Sequence, residues 1–307
     1  MGVLAQTRAL NLACGDCGDC GDVASPPKDR KPPREQSDNE QFHQYCVSRE
    51  RKFTVHDYFS CQPHVGVTKR ASLINWMIDN KDRFHLDSEQ IFHAAKLFDF
   101  IVSSEGDTIV EKTERNTLFI AAMIVVAKAE NLENEFCASD YSCIRDMRLF
   151  NVPKIQQMEA VVMKCCQFDT RIPTASNFVD RFLCVKGTNA TAFMFARYIL
   201  EVSLLYGEFV SVRESLKADA AIALAMKILS LDWVDYVYFY CDYMPDYMEP
   251  IMSAFNQMLR RREIDCRHRA TQKRFSTDLY LNVANIKAES SVLPVQAPVI
   301  VPSCYKH

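Results

Sequence analysis

Apolar residues recur along most of this chain at spacings of three and four, the period of one face of an α-helix. The spacing predicts helices near 40–51, 68–83, 87–104, 115–130, 136–147, 152–167, 174–185, 189–206, 214–230, 232–243, 246–262 and 267–283. Start signals support several of them. Asp87 precedes "SEQIFHAAKLF", Pro153 suits a first turn and Thr174 opens "ASNFVDRFL". Strand alternation is almost absent, and glycine is scarce at 8 residues of 307. The expected class is therefore all-α.

The pattern also repeats, faintly. "AAMIVVAK" at 121–128 returns as "AAIALAMK" at 220–227, and "FHAA" at 92–95 as "FMFA" at 193–196. "QMEAVV" at 157–162 returns as "YMEPIM" at 247–252. Three matches in one order argue for two copies of a domain of about five helices. Small alanines suit a central helix, because they favour helix formation and let neighbours approach closely. The ends read differently. Residues 1–38 are polar with two Pro-Pro pairs and are expected to be disordered, and 286–307 carry prolines and are expected to be a flexible tail.

Composition narrows the function classes. An apolar content of 48% with 24% charged residues is that of a soluble globular protein. A formal net charge of −3 argues against a general nucleic-acid or membrane binder. The longest apolar run, near residue 121, is about half of the ~20 residues that cross a bilayer. The first residues lack a basic start and a continuous apolar segment, so no secretory signal is expected. The 13 cysteines are read as free thiols of a reducing compartment. "CGDCGDCGD" at 14–22 looks like half a zinc site but has no second ligand pair at the usual spacing. There is no P-loop, no glycine-rich nucleotide turn and no metal-ligand spacing among the 7 histidines. No catalytic residue, metal or cofactor is expected.

Candidate binding chemistry begins at "AAMIVVAKAEN". Lys128 ends an apolar run, which is either a helix-end charge meeting the macrodipole or a contact for another molecule. Lys227 stands in the same place in the second copy, and Glu249 stands where Glu159 does, so periodicity leaves both readings open.

The residues themselves resemble a family. "VTKRASLINWMIDNKDRFHLDSEQIFHAAKLFDFIV", "AAMIVVAKAEN" and "IQQMEAVVMKCCQFD" are similar to the first box of the cyclins, and "RERKFTVHDYFSCQP" with the second helical copy looks like a divergent mitotic B-type cyclin. The resemblance implies two tandem five-helix cyclin boxes, 39–172 with a preceding helix and 173–285, plus a C-terminal helix. It implies a non-catalytic subunit that binds and activates a cyclin-dependent serine/threonine kinase as a heterodimer at the G2/M transition, in nucleus and cytoplasm. In that family Arg70 and Asp99 would form a structural ion pair. Lys128 and Glu159 would reach the kinase backbone, with Glu130, Met163, Phe168, Phe42 and Tyr45 around them.

Departures are also visible. The family's substrate-docking run reads "KRASL" here, so Lys69 replaces a methionine and Ser72 an isoleucine, while Leu73, Trp76 and Asp79 complete the patch and Asn75 replaces an aspartate. Losing two apolar side chains removes roughly 1.5–3 kcal/mol of burial each, so docking of arginine-x-leucine motifs is expected to be weak. The family's destruction signal has no clear copy, since Arg8 is followed three residues later by Asn11. Two alternatives remain: a cyclin-fold protein of transcription that contacts DNA through "RRREIDCRHRATQKR" at 260–274, or a cyclin that binds a kinase without activating it.

Overall fold

Every side chain at 118–127 is buried, and so is every one at 217–225. A helix that is buried all round has no solvent face and belongs at the centre of a bundle. These two segments are the central helices of two successive helical units in the computed structural model, which describes residues 34–59, 66–105, 114–130, 151–184, 189–233, 241–264 and 268–288.

The first unit comprises α2 (Val67–Asp79), α3 (Ser88–Glu105), the central α4 (Arg115–Glu130) and α5 (Val152–Cys165), preceded in the chain by α1 (Arg34–Glu50). The second comprises α6 (Ala175–Asp180), α7 (Ala190–Ser203), the central α8 (Glu214–Ile228) and α9 (Pro245–Ile264), followed by α10 (Ala270–Phe275). No strand occurs among the described residues, and the all-α class stands. Helix α4 packs between α3 and α5, and α8 packs on α6, α7 and α9. Large side chains fill the gaps: Phe98 and Phe119 meet edge to face in the first core, and Phe209 and Phe255 pack at a tilt, 4.8 Å between centroids, in the second.

Local chemistry sets the boundaries. Asp87 Oδ1 accepts from Gln90 N at 2.8 Å while Gln90 Oε1 accepts from Asp87 N at 3.0 Å, a reciprocal box that starts α3. Asn151 and Asn189 cap α5 and α7 more simply, by side-chain oxygens accepting from first-turn amides. The expected helix 68–83 stops at Asp79. Asn80 turns its side-chain amide back onto Trp76 O at 2.9 Å, and the chain tightens into a 3₁₀ turn at Lys81–Phe84. The expected helix 174–185 is likewise a short α-helix followed by a 3₁₀ turn, Arg181–Cys184.

Two further expectations need correction. A single helix over 267–283 is not formed: α10 ends at Phe275, and Leu281 and Asn282 take left-handed φ of 54° and 53°, which no right-handed helix admits. Nor is there a helix at 231–233 or 241–244; the rest of the expected 232–243 segment, like 136–147, lies outside the described residues. Helix α1 starts at Arg34, ahead of the expected 40.

The two units are joined by charge as well as by apolar contact. Glu214, 3% exposed at the start of α8, accepts from Lys96 of α3 and from Lys217, each at 2.8 Å, and from the Ala175 amide at 3.0 Å. Burial alone would raise its pKa, but the charges of Lys217 and Lys96 outweigh it and hold the carboxyl at about 2. Helix α1 lies against both units. His43 and Cys46 are buried, His43 Nε2 is 2.7 Å from Asp242 Oδ2, and Glu50 accepts from Ser215 N and Oγ at 2.9 and 2.8 Å.

Candidate functional site

Packing of α4 on α5 fixes the first feature of the site. Lys128 lies in the last turn of α4 and Glu159 in the middle of α5, and Lys128 Nζ donates to Glu159 Oε2 at 2.5 Å. Their side chains are 38% and 13% exposed, so the pair sits at the rim of the bundle, reachable from outside. Water reaches the lysine end, and an ion pair screened in this way contributes about 0–1 kcal/mol to folding. Its chemistry is that of a donor and an acceptor held side by side. Glu130 is the last residue of α4; its side chain lies outside the described set.

One turn past Glu159 comes Met163, half-buried against the first core. Helix α5 then ends in a Schellman motif: Phe168 N donates to Met163 O at 2.8 Å and Gln167 N to Lys164 O at 3.0 Å. Glycine usually fills the left-handed position of this motif. Here Gln167 and Phe168 both take positive φ, 54° and 57°, at a cost of about 1–2 kcal/mol each. The result is a ring turned outward, 72% exposed.

The next residue ties this corner to α1. Asp169 accepts from Arg49 Nη2 at 2.6 Å and from Lys52 Nζ at 3.0 Å, and Arg49 Nε also donates to Arg171 O at 3.0 Å. The Arg49 guanidinium stands 5.3 Å from the Tyr45 ring centroid, and Tyr45 stacks with Phe42 at 6.4 Å. Phe42 and Tyr45 are 51% and 40% exposed. The outer face of α1 and the α5 corner therefore continue into one another, with Lys128 and Glu159 beyond Met163.

Arg49 and Lys52 hold Asp169 down at about 2, from an ordinary value of 3.8. A depressed carboxyl contributes stability above its unfolded pKa and loses it as pH falls through the folded one. The contribution is thus complete above about pH 4 and disappears toward pH 2. Asp169→Asn is expected to lower the melting temperature at pH 7 and to converge with wild type in melts at pH 2. A gap that stays constant with pH would show that the loss does not come from the carboxylate's charge, and no gap at pH 7 would show that the tie adds nothing.

Arg70 and Asp99 meet in the interior, 2% and 5% exposed at their side chains. Arg70 Nε donates to Asp99 Oδ1 at 2.7 Å and Nη2 to Oδ2 at 2.6 Å, a two-point fork. The spacing of residues gave no hint of two further partners: Tyr58, whose hydroxyl donates to Asp99 at 2.7 Å, and Leu204, whose carbonyl accepts from Arg70 Nη1 at 2.5 Å. Leu204 belongs to the second unit, so this pair braces α2 to α3 and both to α7's end.

The docking-patch positions lie on α2. Lys69, Ser72 and Asp79 are exposed, and Leu73 and Trp76 are half-buried, Trp76 packing on Phe84. Ser72 Oγ is 3.0 Å from His268 Nε2, and Asn75 Oδ1 accepts from Ala270 N at 3.0 Å. Both positions that carry short polar residues are thus engaged by the segment leading into α10. The basic run 260–274 is partly spent internally. Arg262 is buried and donates to His268 O at 2.6 Å, and Arg274 pairs with the buried Glu201. Among the described residues no cluster could hold a metal ion, and no described helix is long and apolar enough to cross a membrane. The cysteines at 14–20 lie outside the described residues.

With this geometry in place, the similarities are specific. Residues 41–171 match the family model "Cyclin, N-terminal domain" and residues 173–289 match "Cyclin, C-terminal domain". The chain is 23% identical over 245 residues to the G2/mitotic-specific cyclin-B of Hydra viridissima, covering 80% of this chain and 61% of the relative. It is 26% identical over 245 residues to the G2/mitotic-specific cyclin-B3 of Homo sapiens, with 80% and 17% covered. Against the G2/mitotic-specific cyclin-B3 of Drosophila melanogaster it is 28% identical over 255 residues, with 79% and 42% covered. The chain spans less than two thirds of the length of these relatives.

Proposed function

The chain belongs to the cyclin family, and from that premise we propose that it is a regulatory subunit that binds and activates a cyclin-dependent serine/threonine kinase at the G2/M transition. The observation that carries this reading is the surface built around Lys128 and Glu159: an accessible donor–acceptor pair flanked by Phe168, Tyr45 and Phe42, large apolar side chains turned to solvent. A monomer gains nothing from exposing such rings beside a charge pair, whereas an interface uses aromatic anchors with a polar contact between them.

The chain performs no chemistry in this reading. Activation is a population shift, in which the cyclin binds the kinase conformation that has its regulatory helix turned inward and its lysine–glutamate pair formed. Moving a two-state equilibrium from about 1:99 to 99:1 needs ~5.5 kcal/mol of differential affinity. A surface ion pair cannot supply that alone, so the aromatic surface must contribute. Phe168→Ala is expected to weaken kinase binding by about 2–3 kcal/mol. Thermal stability should fall little or not at all, because the ring is already 72% exposed.

Purified chain added to candidate cyclin-dependent kinases, with histone-type phosphorylation as readout, tests the proposal. A rise in phosphorylation that saturates at one chain per kinase supports it. Tight association without that rise would move the chain to the non-activating reading. Retention on DNA that falls steeply with salt, without kinase binding, would favour the transcriptional one. Substrate docking through arginine-x-leucine motifs is proposed to be weak, since Lys69 and Ser72 take the places of apolar residues. A reducing compartment, nucleus or cytoplasm, suits a chain in which Cys46, Cys165, Cys166 and Cys241 are free thiols.

A further inference from the structure

Between α3 and α8 the two helical units leave a cavity of about 20 Å³, room for one particle of about the size of water. Phe92 and Phe209 give it apolar wall, and five charged side chains also line it, none more than a tenth exposed. Arg70, Lys96 and Lys217 bring three positive charges, and Asp99 and Glu214 bring two negative ones, a surplus of one positive charge. Tyr58, which also faces Asp99, donates to it as a neutral hydroxyl and leaves that surplus unchanged.

The two acids are already committed. Asp99 takes the Arg70 fork, while Glu214 Oε1 meets both ammonium groups at 2.8 Å and Oε2 accepts from the Ala175 amide. An ammonium has three N–H donors, and Glu214 Oε1 is the one acceptor that each lysine meets among the described residues. Sharing that oxygen also keeps the two nitrogens close enough for one ion to touch both. Burial lowers the Lys217 pKa more than the Glu214 charge raises it, and Lys96 pushes it down further.

We infer that this cavity binds one monovalent anion of halide size, held between the ammonium groups of Lys96 and Lys217. A surplus charge kept from water is strongly unfavourable unless an opposite charge comes with it. Water would fill the volume without bringing that charge. Chloride brings it, and accepts from the N–H donors that Glu214 leaves unserved. Size and charge set the ligand class together: the space suits a single small ion, and a dianion such as sulfate would reverse the sign of the surplus. Lys96 belongs to the first unit and Lys217 to the second, so a bound ion ties the two boxes and makes their stability depend on chloride by mass action. Neither lysine belongs to the surface proposed for the kinase.

Thermal melts of the full chain in sodium chloride and in sodium gluconate, at matched sodium concentration, test this. Wild type is expected to melt about 3–5 °C higher in about 150 mM chloride, the shift of a ~10 mM site, and the rise should saturate. Bromide should act as chloride does. Lys217→Met removes the surplus charge and leaves Glu214 paired with Lys96, so this variant is expected to fold and to melt equally in both salts. Equal melting of wild type in the two salts overturns the inference and leaves the cavity to water. The same rise in Lys217→Met also overturns it, because the halide would then act elsewhere. A second measurement needs no variant. Crystals grown in sodium bromide should show an anomalous-scattering peak in contact with both lysine nitrogens, and a map without a peak there refutes the site.

Discussion

Lys128→Ala and Glu159→Ala each abolish most kinase activation while leaving the fold intact: that is the outcome expected of the pair at the rim of α4 and α5. Two magnitudes separate here. As a surface ion pair, Lys128–Glu159 contributes about 0–1 kcal/mol to folding, so either variant should melt within a few degrees of wild type. As a donor and acceptor desolvated against a kinase backbone, each would be worth about 2–5 kcal/mol of binding, a loss of roughly 30-fold or more. The present geometry allows that exchange of partners. The two groups already converge at 2.5 Å, and Lys128 is 38% exposed, so a partner can reach them without unfolding the bundle. The check is a titration of kinase activity against wild type and both variants, with thermal melts run beside it. The double variant should lose little more than the worse single one, because each residue's role depends on the other. Equal activation by all of them would remove the pair from the interface. A fall in melting temperature matching the fall in activity would make it structural.

Much of this architecture was legible along the chain, for reasons that particular residues make clear. The central helices could be found because 118–127 and 218–225 are apolar or small almost without interruption, and burial on all sides leaves that record. Helix α4 occupies the expected 115–130, and α3 begins one residue past the Asp87 start signal. What remained hidden is long-range. Arg49 meets Asp169 across 120 positions and Arg70 meets Leu204 across 134, and helical periodicity carries no information at such distances. The outward turn of Phe168 was equally invisible, because a Schellman motif built on Gln167 lacks the glycine that normally marks it. The C-terminal segment failed for the opposite reason. Its apolar spacing continues past Phe275, but the side chains Tyr280 and Val283 reach the second core through 3₁₀ turns instead of a helix.

Arg70→Ala is the substitution expected to damage the fold most, by about 3–5 kcal/mol. The argument is one of what remains behind. Removing the guanidinium strands the Asp99 carboxylate at 5% exposure, with the Tyr58 hydroxyl as its remaining donor among the described residues, and it frees the Leu204 carbonyl. An uncompensated buried charge is costly because protein replaces water around it without replacing the opposite charge. The lost guanidinium also leaves a space between the two units that a methyl group cannot fill. Arg70→Lys should fall between, since it keeps the charge but loses the two-point fork. Urea unfolding followed by circular dichroism measures these losses directly. The sharpest control is Arg70→Met with Asp99→Leu, which removes both charges and keeps the volume. It should recover a large part of the stability lost in Arg70→Ala, because a buried pair costs nearly as much to desolvate as its attraction returns. An Arg70→Ala protein with an unshifted midpoint would show that water enters where the arginine was, and that the boxes hold together by their apolar contact alone.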